Sequence, residues 1–335
     1  MLTYSMNNLK HTGIRTLKRI LTFQALLLSV FYTVTGQQTA DSSKINLGFP
    51  VYSQYLQNGL VINPAYTGTR EVLSGFLSYR MQWIGTSGSP LLQSISFHSP
   101  LKNDKVALGM MAQFMKYGAT KSTSIYGSYA YHIKLKKGKL SFGLKGGVDL
   151  SNTDYTGLLL NDPDDPVFKT NEKALVLPNV GTGIYYFSDK FFAGLAIPTF
   201  LNYRRTSSGS VVPYHSFSEY DFLFSAGALI NISPVLKFKP SVLINYSLDE
   251  TNQLTQFDIN GNFIIADLIW AGGSYRVSEQ VAVGIIQVQV NHQLMFGFSY
   301  DYPFGKMNSY SKGSTEFILR YEFRYKVSAA NPRYF

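Results

Sequence analysis

Hydrophobic and polar residues alternate with a period of two along most of the chain beyond residue 70. Residues 139–151, KLSFGLKGGVDLS, set Leu140, Phe142, Leu144, Val148 and Leu150 on one face. Ser141, Lys145, Asp149 and Ser151 fall on the other. Residues 122–134 divide in the same way, with Thr123, Ile125, Tyr129, Tyr131 and Ile133 against Ser122, Ser124, Ser128, His132 and Lys134. Residues 256–265 set Phe257, Ile259, Phe263 and Ile265 against Asp258, Asn260 and Asn262. In residues 314–325, Phe317, Leu319, Tyr321, Phe323 and Tyr325 oppose Glu316, Arg320, Glu322 and Arg324. A helix at about 3.6 residues per turn would mix these sets, so they predict strands. Less regular strands are predicted near 72–83, 91–99, 106–117, 179–187, 191–197, 222–232, 236–246, 268–276, 281–290 and 294–302.

These are about fourteen strands, each near the ~9–11 residues that cross a bilayer at a tilt. A water-soluble sandwich also alternates, so the connections have to choose the solvent. If the first strand runs outward from the periplasm, the inner turns are LKNDK, KLKKGK, SDK, ISPV, AD and NHQ, all short. The outer connections include residues 152–178 and 198–220, SLDETNQ and PFGKMNSYSKGS. Short turns at one end and long loops at the other are the asymmetry of outer-membrane barrels. Closure also removes the edge strands that so many apolar faces would make hazardous. Tyr79, Tyr117, Tyr131, Tyr185, Tyr186, Tyr246, Tyr300 and Tyr325 lie at strand ends, where interfacial girdles form. An even strand count places both termini in the periplasm. The expected fold is therefore all-β: a transmembrane antiparallel barrel over residues 71–335, preceded by a periplasmic or plug-like segment over 37–70. Ser74, Arg80, Gln82, Lys145, Asp149, Asp258, Asn260, Asn262, Arg320, Glu322 and Arg324 form the expected lumen face.

Composition sharpens this picture. The chain has 335 residues with 24 Tyr and 24 Phe, a bias toward β structure. With 0 Cys, disulfides and thiolate chemistry are excluded. The net charge of +10 raises the question of nucleic acid, but part of that charge sits in a leader. Lys10, Arg15, Lys18 and Arg19 precede the apolar run ILTFQALLLSVFYTV, and Thr35 and Gly36 supply small residues. Residues 1–36 read as a secretory signal, cut after Gly36. The run is shorter than the ~20 residues of a spanning helix. The basic turn Lys134, Lys136, Lys137 and Lys139 is not read as a nucleic-acid patch, because an exported protein meets little nucleic acid.

No catalytic constellation emerges, so the chain is expected not to be an enzyme and to carry no cofactor. His11, His98, His132, His215 and His292 lack metal-ligand spacing, and His98 and His132 fall on polar faces as lumen hydrogen-bonders. GTSGS at 85–89 misses the nucleophile-elbow pattern. Asp162, Asp164 and Asp165, interleaved with Pro163 and Pro166, lack the central Gly of a calcium loop and read as a stiff surface turn. The Gly-rich GLKGG and GTG lie inside strand patterns and open no helix.

Just before the first strand comes YLQNGLVINPAYTG, residues 55–68, which is apolar and rich in turn formers but has no period. The pair Asn63-Pro64 biases Asn63 away from helix and sets a bend there. A segment in this place belongs at the barrel mouth or in its lumen.

These residues open a stretch that resembles the PorP/SprF family of the Bacteroidetes type IX secretion system. The resemblance is carried by Ser53-Gln54-Tyr55, then by Asn63, Pro64, Ala65, Tyr66 and Gly68. It continues through Arg80, Gln82, Trp83 and Gly85, Pro90, and Ser96, His98, Pro100 and Leu101. Further matches follow in LSFGLKGGV, DPDDPVF, PNVGTGIYY, GLAIP, SYR, FSYDY and STEFILRYEF. Gln57-Asn58-Gly59 replaces the family's usual Asn-Pro step, and Thr315 stands where the family often has His. The resemblance implies a non-enzymatic outer-membrane barrel of the secretion and gliding apparatus. It implies a large secreted adhesin-like partner bound through its C-terminal domain, and contacts with periplasmic ring or peptidoglycan-linked components. The residues alone leave a second reading open, a porin-like barrel conducting polar or hydrophobic solutes.

Overall fold

Alternation decides the wall. In the computed structural model, which describes residues 43–45, 50–102, 104–154, 172–206, 209–247 and 254–323, each expected strand is present. The first half of the barrel comprises β1 (Leu73–Met81), β2 (Leu91–Pro100), β3 (Val106–Tyr117), β4 (Thr120–Leu135), β5 (Gly138–Thr153), β6 (Glu172–Phe187) and β7 (Phe191–Ile197). The second comprises β8 (Asp221–Ala228), β9 (Leu236–Ser247), β10 (Leu254–Ile265), β11 (Ile269–Arg276), β12 (Val281–Gln289), β13 (Leu294–Pro303) and β14 (Ser314–Phe323). Each strand pairs antiparallel with its neighbours in sequence, and β14 closes onto β1 with Phe317 opposite Tyr79. All fourteen strands are thus hydrogen-bonded on both sides.

The two faces are inverted relative to a water-soluble barrel. Leu77, Phe97, Leu108, Met110, Ile125, Ile184, Leu195, Ile259, Phe263 and Phe296 are exposed on the outside. Ser74, Ser78, Ser94, Ser96, Ser141, Asn260, Asn262 and Ser299 are buried inside. An apolar exterior around a polar interior is the pattern of a barrel solvated by lipid.

The connection expected over 152–178 is shorter than the sequence pattern suggested. β5 runs on to Thr153 and β6 begins at Glu172, with Asp149 opposite Leu177 and Leu150 opposite Val176. Alternation continues there, Val176 exposed and Leu177 buried, although Pro178 and Asn179 break the pattern in the sequence. The DPDDP stretch, the leader and Arg324 lie outside the described residues.

The segment ahead of β1 fills the barrel. Residues 52–70 sit in its lumen and form three short 3-10 turns, Tyr55–Gln57, Gly59–Val61 and Pro64–Tyr66. Asn63 is extended (φ −145°, ψ 115°), as a residue before proline prefers. Its Oδ1 accepts from the Ala65 N–H at 2.9 Å, and Pro64 occupies a position where a missing N–H costs nothing. The sequence that lacked a strand period thus makes a compact capped turn. Its apolar residues Leu60, Val61, Ile62 and Ala65 pack with Tyr185, Phe192 and Trp270 of the wall.

The chain divides into two compact units, and the barrel with its plug is the larger. The smaller contains a three-stranded antiparallel sheet of Ser43–Ile45, Asn202–Arg205 and Val211–Tyr214, in which Ile45 faces Tyr203.

Candidate functional site: the plugged lumen

Two seats hold the plug, one toward each end of the barrel. The first surrounds Ser53. Its N–H donates to Glu316 Oε2 at 2.8 Å and its hydroxyl donates to Asp301 Oδ2 at 2.8 Å. The same hydroxyl accepts from Arg80 Nη1 at 2.9 Å and from Arg276 Nη2 at 3.4 Å. Around it opposite charges interleave. Arg80 pairs with Asp301 (2.7 Å) and Glu316 (3.4 Å), and Arg276 pairs with Asp258 (3.1 Å) and Asp301 (3.6 Å). Buried ionic groups of this kind demand mutual pairing, because a lone buried charge costs several kcal/mol. Tyr52 accepts from Gln113, and Tyr55 accepts from Asn260 at 2.6 Å.

A glutamine relay crosses the middle. Gln287 donates to Gln54 at 3.0 Å and Gln57 donates to Gln287 at 2.6 Å. Gln57 in turn accepts from Arg70 at 3.3 Å and from Arg320.

The second seat is built from close approach. A Cβ on Gly143 would lie within 3.0 Å of Pro64 and Ala65 backbone atoms, and one on Gly183 would meet the Asn63 amide. With Gly194 these form a notch in β5, β6 and β7 that takes the Asn63-Pro64-Ala65 turn. Asn63 Nδ2 donates to the carbonyls of Ile184 (3.1 Å) and Leu195 (3.4 Å). Two wall histidines then grip the next residues. His98 Nδ1 accepts from the Gly68 N–H at 3.0 Å, and His132 Nε2 donates to the Thr67 carbonyl at 2.9 Å. Tyr66 packs edge-on against His98, and Arg70 donates to the Tyr66 hydroxyl at 3.1 Å.

The lumen therefore brings together Gln54, Tyr55, Asn63, Pro64, Ala65, Tyr66, Gly68, Arg80 and His98. Pro100 ends β2, its nitrogen 3.4 Å from where a Gly68 Cβ would stand. Trp83, Gly85 and Pro90 are not part of this site. They lie in the β1–β2 connection, which is zipped to the β13–β14 connection by Ile84 N–H to Gly313 O and Lys312 N–H to Ile84 O, both 2.8 Å. Trp83 stands there at φ 50°, 40% exposed, its N–H donating to Ser314 Oγ at 3.1 Å. Sequence reasoning missed Ser53 as the hub, and missed Asp301 and Arg276 among its partners. Alternation in FSYDY and SYR was the available signal, since Ser299, Asp301, Ser274 and Arg276 share the buried face. Among the described residues no cluster of His, Cys, Asp and Glu suits a metal ion.

The family model described as type IX secretion system membrane protein PorP/SprF matches residues 45–321. The chain belongs to the PorP/SprF family. Its fold is similar to solved outer-membrane barrels. The CymD monoaromatic hydrocarbon channel is 14% identical with a TM-score of 0.50, covering 84% of this PorP/SprF chain and 94% of that one. A Pseudomonas aeruginosa FadL homologue is 10% identical with a TM-score of 0.45, over 82% and 95% of the two chains. The Acinetobacter baumannii outer membrane protein Omp33 is 7% identical with a TM-score of 0.43, over 76% and 99%. No curated protein matches the PorP/SprF chain.

Proposed function

We propose that this PorP/SprF barrel is a non-enzymatic adaptor of type IX secretion that receives or anchors one cognate secreted protein at the cell surface. The observation that carries this reading is the filled lumen. Tyr52 to Arg70 occupy it and are hydrogen-bonded to β2, β4, β6, β7, β10, β12, β13 and β14. A barrel whose interior is committed to its own chain offers partners its connections. The β7–β8 connection, residues 198–220, mixes Tyr, Phe and Arg with turn formers, a composition suited to protein recognition. The adhesin-like partner, its C-terminal targeting domain and the ring components are part of the proposal, and membership of a type IX secretion family supports them. Shortening 202–216 should abolish surface display of one neighbouring large secreted protein while the barrel still assembles and the general secretome is unchanged. Normal display by that variant would overturn the reading.

A further inference from the structure

The plug has a direction. Tyr52 and Ser53 meet Gln113, Arg80, Asp301 and Glu316. Those residues lie toward Tyr117 on β3, Met81 on β1, Pro303 on β13 and Ser314 on β14, the strand ends that carry the β1–β2 and β13–β14 connections. Thr67 to Arg70 meet His132, His98 and Glu322, near Leu135 on β4, Pro100 on β2 and Phe323 on β14. Glu71 bridges to Lys139 at 2.6 Å beside the tight β4–β5 turn. So residues 52–70 run through the barrel from the long-connection end to the short-turn end, and β1 then turns back outward.

We infer that the chain N-terminal to Tyr52 leaves the lumen at the long-connection end, so that the plug is threaded and Lys44 lies on the outer side of the membrane. An even strand count would put both chain ends on the periplasmic side; the threaded plug reverses this for the N-terminus. An independent observation within the smaller unit agrees. Ser43–Ile45 pairs antiparallel with Asn202–Arg205, which belongs to the β7–β8 connection only a few residues beyond Ile197. The consequence is mechanical. A threaded plug is anchored by β1 at one end and continues outward at the other, so it cannot swing out of the lumen as a hinged periplasmic lid. The inference shares with the proposed function only the orientation of the barrel.

The absence of cysteine makes the test direct. Lys44→Cys, at an exposed position, is compared with Lys312→Cys in the β13–β14 connection and Lys136→Cys in the β4–β5 turn, both also exposed. Intact cells are treated with a membrane-impermeant maleimide, and assembly is checked by heat-modifiable gel migration. Lys44→Cys is expected to label together with Lys312→Cys, with Lys136→Cys labelled only after the outer membrane is opened. Lys44→Cys behaving like Lys136→Cys would overturn the inference. If Lys44→Cys and Lys312→Cys were both protected while Lys136→Cys labelled, threading would stand and the orientation behind the proposed function would fall.

Discussion

Gly143→Ala should loosen the plug without harming the wall. The added Cβ would stand within 3.0 Å of Ala65 N, Ala65 Cα and Pro64 C, all backbone atoms that cannot rotate aside. For the strand itself the change is benign, since glycine is the weaker residue in a strand interior by about 0.5–1 kcal/mol. The strain therefore falls on the contact between β5 and the Asn63-Pro64-Ala65 turn. Overpacking of this kind costs about 1–3 kcal/mol, which multiplies the fraction of molecules with the plug unseated by roughly 5- to 150-fold. Ile62→Cys, buried in the native plug, reports that fraction, because labelling follows the open population when opening and closing are fast. The labelling rate should rise by that factor in Gly143→Ala/Ile62→Cys over Ile62→Cys alone, with heat-modifiable migration unchanged. Gly146→Ala is the control: its nearest new contact is Val180 Cγ1 at 3.8 Å, so it should leave the rate alone. An unchanged rate in an assembled Gly143→Ala barrel would refute the notch.

The Ser53 hub supplies the next expectations. Arg80→Met removes the cation that pairs with Glu316 and the nearer of the two that pair with Asp301, and should cost about 3–5 kcal/mol, read as heat-modifiable unfolding at lower temperature. Adding Glu316→Gln should recover part of the loss, and strict additivity of the two changes would contradict the pairing.

The wall was legible because lipid outside and polar packing inside enforce period two, as residues 139–151 show. His98 and His132 were placed on the lumen face by the same rule and are found gripping Gly68 and Thr67. Asn63-Pro64 announced its bend through local sterics alone. What failed to show were the features that depend on two distant segments meeting. Gly143 and Gly183 look like ordinary strand glycines until the plug turn approaches them. Ser53 is one serine among many, and becomes a hub only when β1, β11, β13 and β14 converge on it. The direction of the plug is a long-range property of the same kind, and no local pattern encodes it.

The filled lumen is tested most directly by single-channel recording of the purified wild-type protein in a planar bilayer. A plug held at both seats predicts a closed baseline at low voltage, with no stable conductance steps. Steady ohmic conductance from an assembled wild-type barrel would contradict it.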